Sequence, residues 1–313
     1  MPDVAVAHNT TPFVAVYPWS AGFGTKYTNP ATLPTGNGRG VAFAPNGSAI
    51  AVACNLTPFV AAYPWSAGFG TKYADPATLP GDDGRNVVFS PNSAAVAVTS
   101  VSTPFISAYP WAAGFGTKYA DPATLPASTG DGVAFSPSGA DIAVVHSTTP
   151  FVSVYPWSAG FGTKYANPAT LPAGQGQGVA FSPSGADIVV AHGTTPFVAA
   201  YPWASGFGTK YGNPATLPTG NGRSVAFTTN GADVAVAHST TPFVSVYPWS
   251  AGFGTKYADP ATLPGSDGRS IDFSPAPTVV SVLPAQAKWQ ADSGRLRRVI
   301  AARPSQAQWQ VTV

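Results

Sequence analysis

Glutamate is absent from this 313-residue sequence, and charged residues of every kind make up only 9% of it. Glutamate and lysine are strong helix formers, whereas the 33 glycines and 33 prolines interrupt helices. We therefore expect no long helices. Because 44% of the residues are hydrophobic, the chain can bury a large core and is not expected to be disordered.

Cysteine and long apolar runs are also scarce. The one cysteine, Cys54, excludes an intrachain disulfide and leaves the redox compartment open. No basic and then apolar leader precedes the strand-like residues Val4 to Ala7, and no apolar run reaches the ~20 residues of a membrane span. We expect a protein made in the cytoplasm, without a signal peptide, a transmembrane segment or a membrane partner.

Basic charge is scarce over most of the chain and concentrated at its end. Residues 1–277 hold 6 Lys and 4 Arg against 12 Asp, a net charge of −2, whereas residues 278–313 carry a net charge of +4. A nucleic-acid-binding domain needs a basic stripe on one face. The body of the chain is therefore not expected to bind nucleic acid.

What the sequence has in abundance is repetition. The tripeptide Thr-Pro-Phe occurs six times at intervals of 46 residues, and each copy is followed by Tyr-Pro-Trp, Gly-Phe-Gly-Thr-Lys-Tyr and Pro-Ala-Thr-Leu-Pro. Internal repeats of this length are typical of solenoids and propellers. The first copy of Thr-Pro-Phe begins at Thr11 and the last at Thr241.

One copy illustrates how each repeat divides into strands and turns. Residues 133–135, 142–145 and 151–155 are short apolar runs, separated by turns rich in Pro, Ser and Gly. A more polar fourth strand is predicted to start at residues 161–165, where Lys164 suits an exposed sheet edge. The continuous apolar character of the second and third strands indicates burial on both faces, as in stacked blades.

A repeat of about 45 residues with four strands is typical of a β-propeller blade. The turn Phe135-Ser136-Pro137-Ser138-Gly139 resembles the Phe-Ser-Pro-Asp-Gly turn of WD40-type repeats. The Gly-His and Trp-Asp pairs of that family are missing here, so its hydrogen-bond tetrad is not carried over. The pattern Thr-Pro-Phe-Val-x-Val-Tyr-Pro-Trp resembles propeller repeats of proteins associated with tailed-bacteriophage virions. That resemblance implies a WD40-like virion component.

The chain begins and ends in the middle of a repeat, and this predicts how the ring of blades closes. Residues 3–8 match the second strand at residues 233–238, and residues 270–275 match a first strand. We therefore expect an all-β, six-bladed propeller over residues 1–277, in which N- and C-terminal strands pair in one blade. Residues 278–313 form a separate, short β tail.

The tail contains two related segments that end in tryptophan, around Trp289 and Trp309. One interpretation is an anchor that docks on a partner or on other copies of the chain, which makes a homo-oligomer. The other is a strap on the propeller's own surface. The candidate anchor residues are Lys288, Trp289, Arg295, Arg297, Arg298 and Trp309.

Catalytic chemistry is poorly represented in the repeat. His8, His146, His192 and His238 share one repeat position, and we interpret them as ends of strands that bond to their own turns rather than as metal ligands. Asp141, Asp187 and Asp233 follow a turn, where Asp is common. The repeated Trp is interpreted as packing rather than as a platform for a sugar ring. We predict no catalytic residue, no metal and no cofactor.

The loops that vary among the copies are our candidate recognition surface. The loop after the second strand and the loop between blades lie on one face of an up-and-down propeller, and binding residues commonly lie in loops. Drift without selection would also make these loops vary. The candidate residues are His8, Asn9, Arg39, Cys54, Asn55, Asp82, Asp83, Arg85, Asp131, Gln175, Gln177, His192, Asn221 and Arg223.

These observations predict a non-enzymatic structural or adhesive module, part of a phage tail, baseplate or capsid surface, that recognises a host or partner. Its expected partners are proteins of a larger assembly or a host-surface glycan. The alternatives are a multivalent lectin and, less favoured, a propeller hydrolase or lactonase.

The tail can be tested by light scattering after size-exclusion chromatography, on the whole chain and on residues 1–277. If the tail is an anchor between copies, the whole chain assembles and the truncated chain is a folded monomer. If the tail is a strap, both are monomers.

Overall fold

The computed structural model describes residues 3–19 and 23–273, and every regular element in these ranges is a β-strand. In chain order the strands are β1 (Asp3–Ala7), β2 (Val14–Pro18), β3 (Gly38–Phe43), β4 (Ala49–Cys54), β5 (Val60–Pro64), β6 (Gly84–Phe89), β7 (Ala95–Ser100), β8 (Ile106–Pro110), β9 (Gly130–Phe135), β10 (Asp141–His146), β11 (Val152–Pro156), β12 (Gly176–Phe181), β13 (Asp187–His192), β14 (Val198–Pro202), β15 (Gly222–Phe227), β16 (Asp233–His238) and β17 (Val244–Pro248).

The strands form six antiparallel sheets, the blades of a six-bladed β-propeller. Blade 1 contains β1 and β2, and blades 2 to 6 contain β3–β5, β6–β8, β9–β11, β12–β14 and β15–β17. The middle strand of blades 2 to 5 is buried at all six positions, which confirms that the apolar second strand is covered on both faces. In blade 4, Val144 lies between Val133 and Ser153.

The predicted fourth strand forms only in part. Instead of a continuous ladder, the segment makes an isolated bridge between Trp157 and Phe161, and the amides of Gly162 and Tyr165 donate to the carbonyls of Pro156 and Val154. Pro156 ends the third strand and has no N–H to donate, so the ladder is broken at that position. The segment therefore lies along the edge of the blade without forming a regular strand.

A hydrogen bond between neighbouring blades recurs at five of the six joints. The Tyr155 hydroxyl in blade 4 donates to the Thr124 carbonyl, 2.8 Å away, in the segment that leaves blade 3. Equivalent bonds of 2.8–2.9 Å join Tyr63, Tyr109, Tyr201 and Tyr247 to the threonine 31 residues earlier. Burial raises the pKa of the Tyr155 hydroxyl, which keeps it protonated as a donor.

Hydrophobic packing follows the same joints. Five clusters of buried side chains occur in the described residues, and each contains residues from two consecutive blades. The largest fully buried side chains are the tyrosines that make the inter-blade bonds. Among the described residues no buried cluster lies within a single blade, so each blade is stabilised mainly by packing against its neighbours.

The joint between blade 6 and blade 1 differs from the other five. Within the described residues it has no buried cluster, and Tyr17 makes no bond equivalent to that of Tyr155. Residues 268–273 start as the other first strands do, because the Gly268 amide donates to the His238 carbonyl at 3.0 Å. They form no ladder with β1, so β1 pairs with β2 alone. The expected pairing of the terminal strands is therefore not formed within these residues.

The described residues end before the tail that begins at residue 278, so the tail and its proposed anchor residues lie outside them. Among the residues that are described, no helix is long and apolar enough to cross a membrane.

The repeats offer an internal test of the inter-blade hydrogen bond. Replacing Tyr155 with Phe removes the donor to Thr124 and leaves a carbonyl without its partner, so we expect the free energy of unfolding to fall by about 1 kcal/mol. The matched control is Tyr17→Phe, because the Tyr17 hydroxyl makes no such bond among the described residues. Chemical denaturation of both variants gives the comparison, and equal losses would contradict the assignment.

Candidate recognition site at the propeller axis

The two variable loops contact each other on one face of the propeller. The Asn55 side chain, in the loop after β4, accepts a 2.7 Å hydrogen bond from the amide of Asn37, which lies just before β3. Thr35 donates to the carbonyl of Leu56 at 3.0 Å. The loop between blades and the loop after the second strand therefore form a joint surface.

At the centre of the ring, six residues 46 positions apart line one cavity of about 430 Å³. We call this set the axial ring, and its members are Arg39, Arg85, Asp131, Gln177, Arg223 and Arg269. The inner strands supply most of the remaining wall, and in blade 1 the second strand contributes Ala5, Val6 and Ala7 instead.

A β-bulge places each ring residue in blades 2 to 6. In blade 6, Gly222 pairs with His238 and Ser224 with Ala237, so Arg223 has no partner of its own across the ladder. The same shift occurs at Arg39, Arg85, Asp131 and Gln177. A bulge redirects the extra side chain, and such features are common beside functional sites.

The glycine before each ring residue explains why the bulge sits there. At Gly222 an added Cβ would overlap the carbonyl oxygen of Phe197 in the preceding blade. At Gly268, before Arg269, the obstacle is the carbonyl oxygen of Phe243. Only glycine allows this approach, so contact between blades fixes where the ring side chain starts.

The ring carries an excess of positive charge, partly paired. Asp83 lies between two arginines, with its Oδ2 3.5 Å from Arg39 Nη2 and 3.8 Å from Arg85 Nε. Gln175 donates to Asp131 at 2.8 Å, and burial raises the pKa of Asp131 despite this bond and the nearby Arg85.

Arg223 and Arg269 lack a carboxylate partner among residues 3–19 and 23–273. Arg223 donates to the neutral Gln177 side chain at 2.8 Å. The ring thus holds four consecutive arginines, at the positions of blades 6, 1, 2 and 3, which span the joint between blade 6 and blade 1.

Two predicted recognition residues lie in the interior instead of on the loop face. Cys54 and His192 are fully buried at the ends of β4 and β13, and burial raises the pKa of the Cys54 thiol. Their position in the apolar second strand takes them out of reach of a partner. Asn9 and Asp82 are exposed, whereas His8, Asn55 and Asn221 are half-buried.

The shared histidine position serves the fold. His146 Nδ1 lies 2.8 Å from the Thr148 carbonyl, which can only accept, so this nitrogen carries the proton. His146 Nε2 then accepts from the Ser153 hydroxyl at 3.1 Å. The interpretation of a histidine bonded to its own turn is confirmed for His146, and burial lowers its pKa to about 4. It is not confirmed for His192, whose two buried ring nitrogens have no hydrogen-bond partner among the described residues.

The repeated aspartates accept hydrogen bonds from tyrosine and tryptophan side chains of the propeller. Asp141 accepts the Tyr165 hydroxyl at 2.9 Å within its own blade and the Trp203 indole N–H at 3.0 Å from the next blade. Asp187 does the same with Tyr211 and Trp249, whereas the equivalent positions 49 and 95 hold alanine. One carboxylate oxygen thus bonds within the blade and the other bonds across the joint.

The repeated tryptophans serve packing, as expected: four are buried, and Trp19 and Trp157 are half-buried. Trp203 is 5% exposed and meets Tyr165, Phe181 and Phe207 edge to face, at centroid distances of 5.1–5.7 Å. A buried indole offers no face to a sugar ring, so the tryptophan-based version of a lectin has no support. Within the described ranges, no three His, Cys, Asp or Glu side chains come together as a metal site would require.

The buried histidines predict a pH-dependent stability. Burial lowers the pKa of His146 and His192 from 6.5 to about 4 and lowers that of His238. Between these values the unfolded chain binds protons that the folded chain does not. The contribution of these histidines to the free energy of unfolding is therefore fully present above pH 6.5. It falls as the pH is lowered toward 4, by at most about 1.4 kcal/mol per pH unit for each histidine.

The measurement is urea denaturation across this pH range, on the natural chain and on a variant with His146, His192 and His238 all replaced by serine, the residue found at position 100. The variant should lose the additional slope. A control with His8→Ser, at a half-buried copy of the position, should lose less of it. A slope unchanged in the triple variant would assign the pH dependence to other groups.

Comparison with known proteins gives structural neighbours only. No protein family matches the chain, and no curated protein matches it. A 6-phosphogluconolactonase candidate from Bacteroides uniformis aligns with a TM-score of 0.57 and 14% identity, over 82% of this chain and 80% of that one. Hydrazine synthase of Kuenenia stuttgartiensis aligns with a TM-score of 0.59 and 13% identity, over 75% and 70%.

A protein of unknown function from Desulfotomaculum acetoxidans aligns with a TM-score of 0.59 and 12% identity, over 82% of this chain and 80% of that one. At these identities the similarity concerns the fold alone, and it agrees with a propeller-like repeat architecture.

Proposed function

We propose that this protein is a non-enzymatic binding module that recognises a partner through its variable loop face and axial ring. The observation that carries the proposal is which sequence positions differ among the six repeats. The tyrosine, threonine and tryptophan of the inter-blade joints are the same in all six copies, whereas the ring position reads Arg, Arg, Asp, Gln, Arg and Arg around the axis. A rigid frame that carries varied side chains in its loops and at one cavity is the usual arrangement of a binding scaffold.

The placement of the acid–base groups supports binding over catalysis. An active site needs groups with distinct pKa values directed at one substrate. Here Asp141 and Asp187 hold Tyr and Trp side chains, and His146 lies in the interior in its neutral form. No observation favours the lectin or the hydrolase alternative over this proposal.

The assembly in which the module acts is proposed to be a bacteriophage virion, as part of the tail, baseplate or capsid surface. Sixfold repetition, the low content of charged residues and the resemblance of the Thr-Pro-Phe to Tyr-Pro-Trp segment to virion-associated propellers support this location. The same features fit protein partners in a larger assembly.

The location is tested by fractionating a culture that expresses the chain from its natural genome. Particles are purified by density gradient, and the chain is quantified by mass spectrometry in the particle and soluble fractions. We expect the chain to sediment with the particles. Its presence in the lysate together with absence from the particles would overturn the virion proposal.

The binding face is tested by adding purified chain to particles from a strain that lacks its gene. Replacing the exposed loop residues Asn9, Asp82 and Gln175 with alanine should weaken binding by about tenfold or more, as expected for several lost polar contacts. The control replaces Ser66, Ser158 and Ser250, which are exposed in loops on the opposite face. Equal binding by both variants would remove the loop face from the proposal.

A further inference from the structure

We propose that the axial ring is a binding site for a small molecule or chain end that carries two or more phosphate or carboxylate groups. This inference deepens the proposed function and rests on it for the biological use of the site, whereas the binding itself can be measured without any partner.

The distribution of arginine carries the first step. Residues 1–277 contain four arginines, Arg39, Arg85, Arg223 and Arg269, and all four line this one cavity. The six lysines of the same region occupy another repeat position, in the Gly-Phe-Gly-Thr-Lys-Tyr segment at the blade edge. A chain with net charge −2 over this region therefore collects its guanidinium groups around its own axis.

The chemistry of arginine carries the second step. The guanidinium group is planar and always charged, and its N–H groups match the oxygens of a carboxylate or phosphate in pairs. Arg39 and Arg85 share one carboxylate, that of Asp83, and Arg223 donates to a neutral amide. The ring therefore retains positive charge and donors that a multivalent oxyanion would satisfy.

The geometry of the cavity carries the third step. Bulges anchored by the contact of glycine with the neighbouring blade place five of the six ring residues on rigid strands rather than on loops. The volume of about 430 Å³ lies within the usual range of small-ligand pockets. Asp131 and Gln177 occupy one side of the ring and the four arginines occupy the other, so the positive charge lies on one side of the cavity.

The proposal is tested with the full chain by isothermal titration calorimetry at low ionic strength. Pyrophosphate and citrate are the two probes, and they distinguish a phosphate-bearing from a carboxylate-bearing ligand. We expect one molecule of at least one probe to bind per chain, with an affinity that falls as salt is added. If neither probe binds, the proposal is overturned.

A pair of double variants assigns the binding to the ring. Arg223→Gln together with Arg269→Gln should weaken the affinity by about tenfold or more, because each loses a charge-assisted contact. The control, Lys164→Gln together with Lys210→Gln, removes the same charge at the blade edge, where both lysines bond neutral asparagines. An equal loss in the control would show general attraction to the protein and overturn the site.

A third variant keeps the test decisive if the arginine variant folds poorly. Asp131→Asn removes the one negative charge of the ring and retains an oxygen that can accept from Gln175, so we expect it to tighten binding. Unchanged or weaker binding would count against the ring. A chain that binds the probe but never enters particles would keep this site and remove only the virion proposal, and the reverse result would remove only the site.

Discussion

The joint between neighbouring blades is the contact on which the rest of this structure depends. A blade of three short strands has two apolar faces, and neither can be covered from within the blade. The tyrosine that donates to the carbonyl 31 residues earlier and the edge-to-face tryptophan fix the distance and the angle between blades, and at three joints an aspartate of the preceding blade also accepts from the tryptophan. Because this contact recurs at a constant spacing, a ring follows from the geometry of one joint.

The placement of the axial ring depends on the same joint. Each glycine before a ring residue is held against the carbonyl of the Thr-Pro-Phe segment in the preceding blade, and the bulge beside it directs the next side chain to the axis. The side chain itself takes no part in that contact. The frame therefore tolerates Arg, Asp or Gln at the axis, which is why the ring can differ from blade to blade while the joints stay alike.

Much of the fold could be predicted from the sequence because its signals are local. The apolar runs of the fourth repeat predicted β9, β10 and β11 to within a few residues, and the turn ends at Gly139, whose φ of +72° favours glycine. The broken fourth strand was harder to foresee, since it depends on the missing N–H of Pro156. Five of the six ring residues were among the recognition candidates, whereas Arg269 was missed. The bulge that positions those five side chains depends on contacts across blades, which single repeats do not reveal. Cys54 and His192 carry reactive groups, yet the apolar strand around each already indicated burial.

The near identity of the joints has a consequence for how the chain assembles. The contact between Tyr201 and Thr170 repeats the contact between Tyr109 and Thr78, so these hydrogen bonds do not fix the order of the blades. A blade from a second molecule offers the same tyrosine bond at each of these joints, and only the aspartate that accepts from Trp203 and its equivalents differs, since positions 49 and 95 hold alanine. At high concentration during synthesis, exchange of blades between chains then competes with closure of a single ring, as is characteristic of repeat proteins. Such an exchange would begin at the joint between blade 6 and blade 1, where β1 pairs with β2 alone.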